Sequence, residues 1–276
     1  MIFPATTDWD DAYTNGAHIA GGEGYIARWA QGAQGFRDRI GDLGSARLDL
    51  AYGSQPRNRL DLFLPRGTPA GLFVFVHGGY WMRFDKSSWS QLAEGALKRD
   101  FAVAMPSYTL CPDIRIGGIG REIGTAIGFA AQEVAGPIHL AGHSAGGHLV
   151  CRMMALSSPL PEPARRRVAQ VVSISGVHDL RPLMSTQMNA TLRLDRDEAR
   201  AESPVLLEPS PDVRLICWAG AGERAEFIRQ NALMANIWRG LGAATACVVE
   251  DNRHHFNVIE SLSDPDSPLT KALFET

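Results

Sequence analysis

The sequence predicts an α/β fold, with a mostly parallel central sheet flanked by helices. Three observations lead there. Short apolar runs recur along the 276 residues, helix-like segments lie between them, and a Gly-x-Ser-x-Gly pentapeptide falls where one such run gives way to a helix. With 45% hydrophobic residues the chain can bury one large core. No repeat, low-complexity tract or linker divides it, so residues 1–276 read as a single domain.

The elements follow in order. Residues 46–52 and 59–64 alternate apolar and polar side chains, as half-exposed antiparallel strands do. Residues 72–76, 101–105, 138–141, 171–174, 213–218 and 245–249 are more continuously apolar, which predicts strands covered on both faces. Helices are predicted over 88–98, 119–134, 145–156 and 225–241. In the second of these, Gly120, Gly124 and Gly128 repeat four apart on one face. They cost helix propensity, and close packing against the sheet is the expected return. Residues 178–211 break the pattern with Asp, Arg, Pro and Met, between the sixth and seventh strands. They predict a small helical excursion over the sheet that forms part of a substrate cover.

Composition narrows the function. The net charge of -3 offers no footprint for nucleic acid, and Arg165, Arg166 and Arg167, the one basic cluster, read as a solvated face. Cys111, Cys151, Cys217 and Cys247 are scattered, with no Cys-x-x-Cys pair, so neither a disulfide framework nor a zinc site is expected. Cys217 and Cys247 sit in apolar runs where a buried, inert thiol is the default. The first residues lack the basic and apolar segments of a secretory leader, and no apolar run is long enough to span a membrane. The expectation is a soluble cytoplasmic protein with a small-molecule substrate, no nucleic-acid or membrane partner, no metal and no cofactor. A homodimer is compatible with the sequence.

The chemistry centres on Ser144. The predicted strand ends just before Gly142 and the predicted helix starts at Ala145, so the chain must turn within about three residues. Ser144 would then hold a strained backbone position, with the small neighbours Gly142 and Gly146 needed to avoid clashes. This is the nucleophile elbow of the α/β-hydrolase fold. A serine hydroxyl needs a base, and in that fold the order is nucleophile, acid, then histidine after the last strand. Residues 251–256 occupy that place, and of the adjacent pair His255 is favoured over His254. His77, His139, His143 and His148 read as loop, core or turn-shaping residues, and His178, the remaining candidate, precedes the last strand. The acid should follow the strand at 213–218. Glu223, on a glycine-rich turn, is best placed, with Asp179 and Glu226 as alternatives. Its role would be to hold the imidazole tautomer and stabilise the imidazolium. An oxyanion site would come from Ala145 and from the loop His77-Gly78-Gly79-Tyr80-Trp81 after an early strand.

With those residues in place, the chain resembles the kynurenine formamidase (arylformamidase) family of α/β-hydrolases. The likeness rests on His77-Gly78-Gly79-Tyr80-Trp81, on residues 142–149 and on His255-Phe256. It extends through Tyr52-Gly53, Leu60-Asp61-Leu62-Phe63, residues 175–180 and residues 226–230. The resemblance implies hydrolysis of N-formylkynurenine to kynurenine and formate without a metal. It implies Ser144 as nucleophile, His255 as base, and Gly78, Gly79 and Ala145 as the oxyanion site. One departure stands out: Glu223 occupies the region where the family usually has aspartate. Tyr80 and Trp81 are expected to line an aromatic substrate pocket, and Arg83, Arg181 and Asn257 are candidates for the amino-acid end. The runner-up is a carboxylesterase or thioesterase acting on small acyl esters. A binding protein with lapsed catalysis would be expected to lack a triad member, whereas serine and histidine are both present.

Overall fold

A computed structural model describes residues 5–41 and 45–275; residues 1–4, where a leader would begin, lie outside them. The apolar runs form eight strands: β1 (Ala46–Ala51), β2 (Arg59–Phe63), β3 (Gly71–Val76), β4 (Phe101–Pro106), β5 (Ile138–His143), β6 (Val168–Ile174), β7 (Arg214–Gly220) and β8 (Ala244–Glu250). They make one sheet in the order β1-β2-β4-β3-β5-β6-β7-β8. β2 pairs antiparallel with both β1 and β4 and so runs opposite to the other strands; β4, β3 and β5 to β8 are mutually parallel. This is the mostly parallel α/β-hydrolase sheet.

Strand periodicity divides the core in two. Leu72, Val74 and Val76 of β3 point into one apolar layer, and Phe73 and Phe75 into the other. The first layer is closed by helices Ile116–Glu133, Ala145–Arg152 and Ala225–Gly240. The second is closed by Tyr25–Gly41, by Trp89 and Leu92, and by Pro268–Phe274. With both faces covered, β3 and β5 are buried at every position.

The connection order reverses between β3 and β5, since β3 leads outward to β4 while β5 leads the other way to β6. Parallel sheets open a crevice at the carboxyl ends of their strands at such a point. The register pairs Val76 with Gly142 and His143 with Ile174, so the carboxyl ends of β3, β5 and β6 meet there.

Several expectations change. β2 is buried along nearly its whole length rather than half-exposed, because both of its faces are covered: Leu60 and Leu62 join one apolar layer and Phe63 the other. Its buried Asp61 is matched by Lys86 Nζ at 2.8 Å, which also reaches Asp49 at 2.7 Å. β8 is the opposite case: as the edge strand it is largely exposed, and so is Cys247, whereas Cys217 on β7 is buried. Gly124 and Gly128 make room for the 159–161 turn, not the sheet; a Cβ on Gly124 would stand 2.6 Å from the Pro159 carbonyl oxygen. The helix expected over 88–98 splits into two 3-10 turns and the short helix Glu94–Leu97. Trp89 leaves helical geometry at the junction and packs on Trp29, ring centroids 4.8 Å apart.

The excursion between β6 and β7 is present, as the 3-10 turns Arg181–Ser185 and Pro204–Leu206 and the short α-helices Asn189–Leu192 and Arg196–Ala201. The N-terminal helices Trp9–Tyr13 and Tyr25–Gly41 were not among the sequence expectations. The second buries Tyr25, Trp29, Ala33, Phe36 and Ile40, a helical spacing, beneath a glycine-rich composition that masks it. No helix among the described residues is long and apolar enough to cross a membrane.

Candidate active site

Ser144 sits between β5 and the Ala145–Arg152 helix with φ 56° and ψ -116°. A non-glycine residue pays strain to hold such angles, and the surroundings fix it there. The Ser144 N–H donates to Ile174 O at 2.8 Å, and the Ser144 carbonyl accepts from His148 N at 3.2 Å. The turn closes because Gly146 has no side chain: a Cβ there would lie 1.9 Å from Val76 O. The elbow is therefore locked against β3 as well as β6.

The loop after β3 crosses beside it. A Cβ on Gly78 would come within 3.0 Å of Ser144 Cβ, so this backbone runs against the serine side chain. The loop then coils tightly, with positive φ at Gly79 (108°), Tyr80 (54°), Trp81 (58°) and Phe84 (70°), and with the N–H groups of Met82 and Arg83 both donating to Gly79 O at 3.0 Å. His77 is held under it by stacking on Tyr108, centroids 4.4 Å apart, and by donating from Nδ1 to Gly78 O. Burial pushes the His77 imidazole down to about 4, so it is neutral.

Glu223 and His255 meet. Glu223 Oε2 lies 2.7 Å from His255 Nδ1, and both side chains are sealed from solvent. The other oxygen, Oε1, accepts from Ser175 Oγ at 2.5 Å and from the Gly220 N–H at 2.8 Å. His143, beside the serine, donates from Nε2 to the His255 carbonyl at 2.8 Å and packs its ring 4.5 Å from the His255 ring. Burial, then the neighbouring His255, holds His143 well below the usual imidazole range, so it serves as a neutral spacer. Phe227 closes the opposite side of the His255 ring at 4.6 Å.

The alternatives are occupied elsewhere. Both Glu226 oxygens lie 2.7 Å from Arg229, and one also accepts from Tyr13 and Gln230. Asp179 forms a two-pronged pair with Arg181 at 2.8 Å for each contact. Burial alone would raise the Asp179 carboxyl, but Arg181 outweighs it and holds the group below its usual range. His254 turns to Tyr25, 3.1 Å from its hydroxyl. His178 is buried against Ser173, with burial taking it down to about 3.

Ser144, His143 and His255 line a cavity of about 390 Å³. Its walls are aromatic: Tyr13, Trp29, Tyr80, Phe84, Trp89 and Phe256, with Gly79, Met82 and Met188 between them. Two charged residues, Arg83 and Asp10, also line it. Tyr80 lines this cavity, with its hydroxyl donating to Tyr13 O at 2.7 Å. Trp81 does not: the tight coil turns it inward, where it is 1% exposed and packs edge-on to His148. Of the three residues named for the amino-acid end, only Arg83 reaches the cavity; Arg181 is held by Asp179, and Asn257 accepts from the His254 N–H. The roof also differs from expectation. Met188 is the excursion's contribution to the lining, while the N-terminal segment supplies Asp10, Tyr13, Thr14, Gly16, Ile26 and Trp29. Sequence reasoning missed those residues and Ser175, since their place over the crevice depends on contacts as distant as Tyr13 with Glu226. No group of three or more potential metal-ligating side chains occurs among the described residues.

A family model described as BD-FAE matches residues 60–213, more than half of the chain. A kynurenine formamidase from Salmo salar is 27% identical over 254 residues, covering 86% of this chain and 84% of the relative. The resemblance drawn from the motifs thus extends over most of the chain. A crystal structure from Silicibacter sp., provisionally described as a thioesterase, superposes with a TM-score of 0.91 at 50% identity, covering 97% of this chain and 99% of that one. An esterase from Pyrobaculum calidifontis shares the fold, with a TM-score of 0.66 at 16% identity over 95% of this chain and 94% of that one. With the family model spanning strands, elbow and excursion, the chain belongs to the BD-FAE family and is a hydrolase of the α/β-hydrolase fold.

Proposed function

We propose that the protein hydrolyses an N-formyl arylamine, N-formylkynurenine to kynurenine and formate, through a Ser144–His255–Glu223 triad. His255 Nε2 takes the proton of Ser144 as Oγ attacks the formyl carbon. The oxyanion settles on backbone N–H groups of the Gly78–Gly79 loop and Ala145, donors worth about 100- to 1,000-fold each in rate. The imidazolium then protonates the departing aryl nitrogen as the C–N bond breaks. Water, deprotonated by His255, attacks the formyl ester, and formate leaves as Ser144 regains its proton.

The observation that carries this reading is the wall of the cavity beside Ser144. Tyr80, Phe84, Trp29 and Trp89 suit a planar aryl group, and Arg83 and Asp10 offer opposite charges to a zwitterionic end. The volume, about 390 Å³, lies near the small end of ligand pockets and suits a one-ring substrate. The Salmo salar relative named for this activity supports the same substrate class.

The second reading, hydrolysis of a small acyl ester or thioester, is favoured by the 50% identical relative provisionally described as a thioesterase. Comparing kcat/KM for N-formylkynurenine with that for an aryl acetate and an acyl thioester separates the two. A formamidase favours the first by orders of magnitude; equal or inverted values select the second. In either case Ser144→Ala abolishes turnover, and retained activity in that variant would reject the triad.

A further inference from the structure

Ser175 stands immediately after β6, buried, with φ 52°. Glycine adopts that conformation at less cost than serine does. The position is nonetheless tightly held: the Ser175 N–H donates to Trp218 O at 2.6 Å, tying the end of β6 to β7. From there its hydroxyl donates to Glu223 Oε1 at 2.5 Å. The Gly220 N–H donates to the same oxygen, at 2.8 Å. Oε2 is left to His255 Nδ1.

We propose that Ser175 is a positioning residue for the acid: its hydroxyl, with the Gly220 N–H, clamps one oxygen of Glu223 so that the other is presented to His255. The inference rests on the triad proposed above. Glutamate carries one more rotatable bond than aspartate, so a carboxylate delivered from its longer stem needs a second fixed point to stay in the imidazole plane. Gly220 supplies a backbone point and Ser175 a side-chain point, and together they fix the carboxylate's rotation as well as its place. The bond lies between a hydroxyl and a charged group away from water, the strong class of hydrogen bond. That bond offsets the backbone strain at Ser175.

The test is steady-state kinetics on Ser175→Ala and Ser175→Gly, with Ser144→Ala and Glu223→Gln measured alongside. Ser175→Gly is the informative variant, because glycine removes the hydroxyl while relaxing the backbone, so the fold is kept. A lost hydrogen bond to a charged partner predicts a fall in kcat of about 10- to 100-fold in both Ser175 variants, with KM within about twofold. In the Glu223→Gln background, Ser175→Gly should cause little further loss, since a residue that acts through Glu223 has nothing left to position. A Ser175→Gly enzyme with wild-type kcat, beside an inactive Ser144→Ala, overturns this inference and leaves the triad standing. So does a full additive loss in the Glu223→Gln background. An active Ser144→Ala enzyme overturns the triad and this inference together.

Discussion

Glu223 Oε2 and His255 Nδ1 lie 2.7 Å apart, with the two side chains 0% and 4% exposed. One residue follows β7 and the other follows β8, and those strands pair in register up to Gly220 and Glu250, so the sheet itself brings the two loops together. The Gly222 N–H donates to Arg253 O at 2.8 Å and ties them a second time.

Replacing Glu223 by glutamine keeps the shape and removes the charge. The amide can donate to Nδ1 and select the wrong tautomer, with Nε2 carrying the proton in the resting enzyme. Loss of the orienting carboxylate in a serine triad costs up to about 10⁴-fold in kcat. Steady-state kinetics should show a fall of that order with KM little changed, while the circular dichroism spectrum stays that of the wild type.

Ser144 carries strain in its backbone, so chemistry and stability should separate there. Ser144→Gly is expected to be inactive and yet more stable, by roughly 1 kcal/mol or more, because glycine adopts φ 56° with ψ -116° at low cost. Urea unfolding of the two proteins checks this; a variant less stable than the wild type would contradict the account of the elbow.

Arg83 tests the charged side of the cavity. Arg83→Gln should raise KM for a substrate with a free carboxylate by roughly tenfold, the weight of one partly solvated charged hydrogen bond. KM for an uncharged aryl acetate should not change. A uniform effect on both substrates would assign Arg83 to the fold of the loop instead.

Acid should unfold the protein through its buried histidines. Burial lowers His77 and His148 to about 4 and His178 to about 3, against about 6.5 for an unfolded imidazole. Between those values the unfolded chain binds protons that the folded one refuses, so stability is complete above pH 6.5 and falls as pH drops through this window. Each group can contribute up to about 1.4 kcal/mol per pH unit there. Urea midpoints from pH 7.5 to 4.5 should decline steadily; a flat profile would contradict the burial of these rings.

The chain's order of elements was legible without coordinates because local rules set it. Strand runs at 72–76, 138–141 and 171–174 announce themselves by continuous hydrophobicity, and the elbow at Ser144 by glycine on both sides of a strand-to-helix turn. From these followed the sheet and the excursion between β6 and β7, which the structure places as read; Glu223 and His255, expected after the last two strands, lie 2.7 Å apart. Burial was less legible. Thr245 to Val249 is as apolar as a central strand, yet β8 lies at the edge, and only pairing on both sides decides that.

What the sequence determined by itself was the fold class and the place of the elbow at the carboxyl end of β5. Tertiary structure alone decided which side chains face the cavity. Tyr80 and Trp81 are neighbours with similar chemistry, but a coil of positive φ angles sends one to the crevice and the other into the core. Tyr13 is held at the site by partners as distant as Glu226, 213 positions away, which accepts its hydroxyl, and Ser175 reaches Glu223 across the β6–β7 pairing. Periodicity and motif spacing report on neighbours in the chain, whereas such contacts between distant segments are fixed only when the sheet and its covering layers pack together.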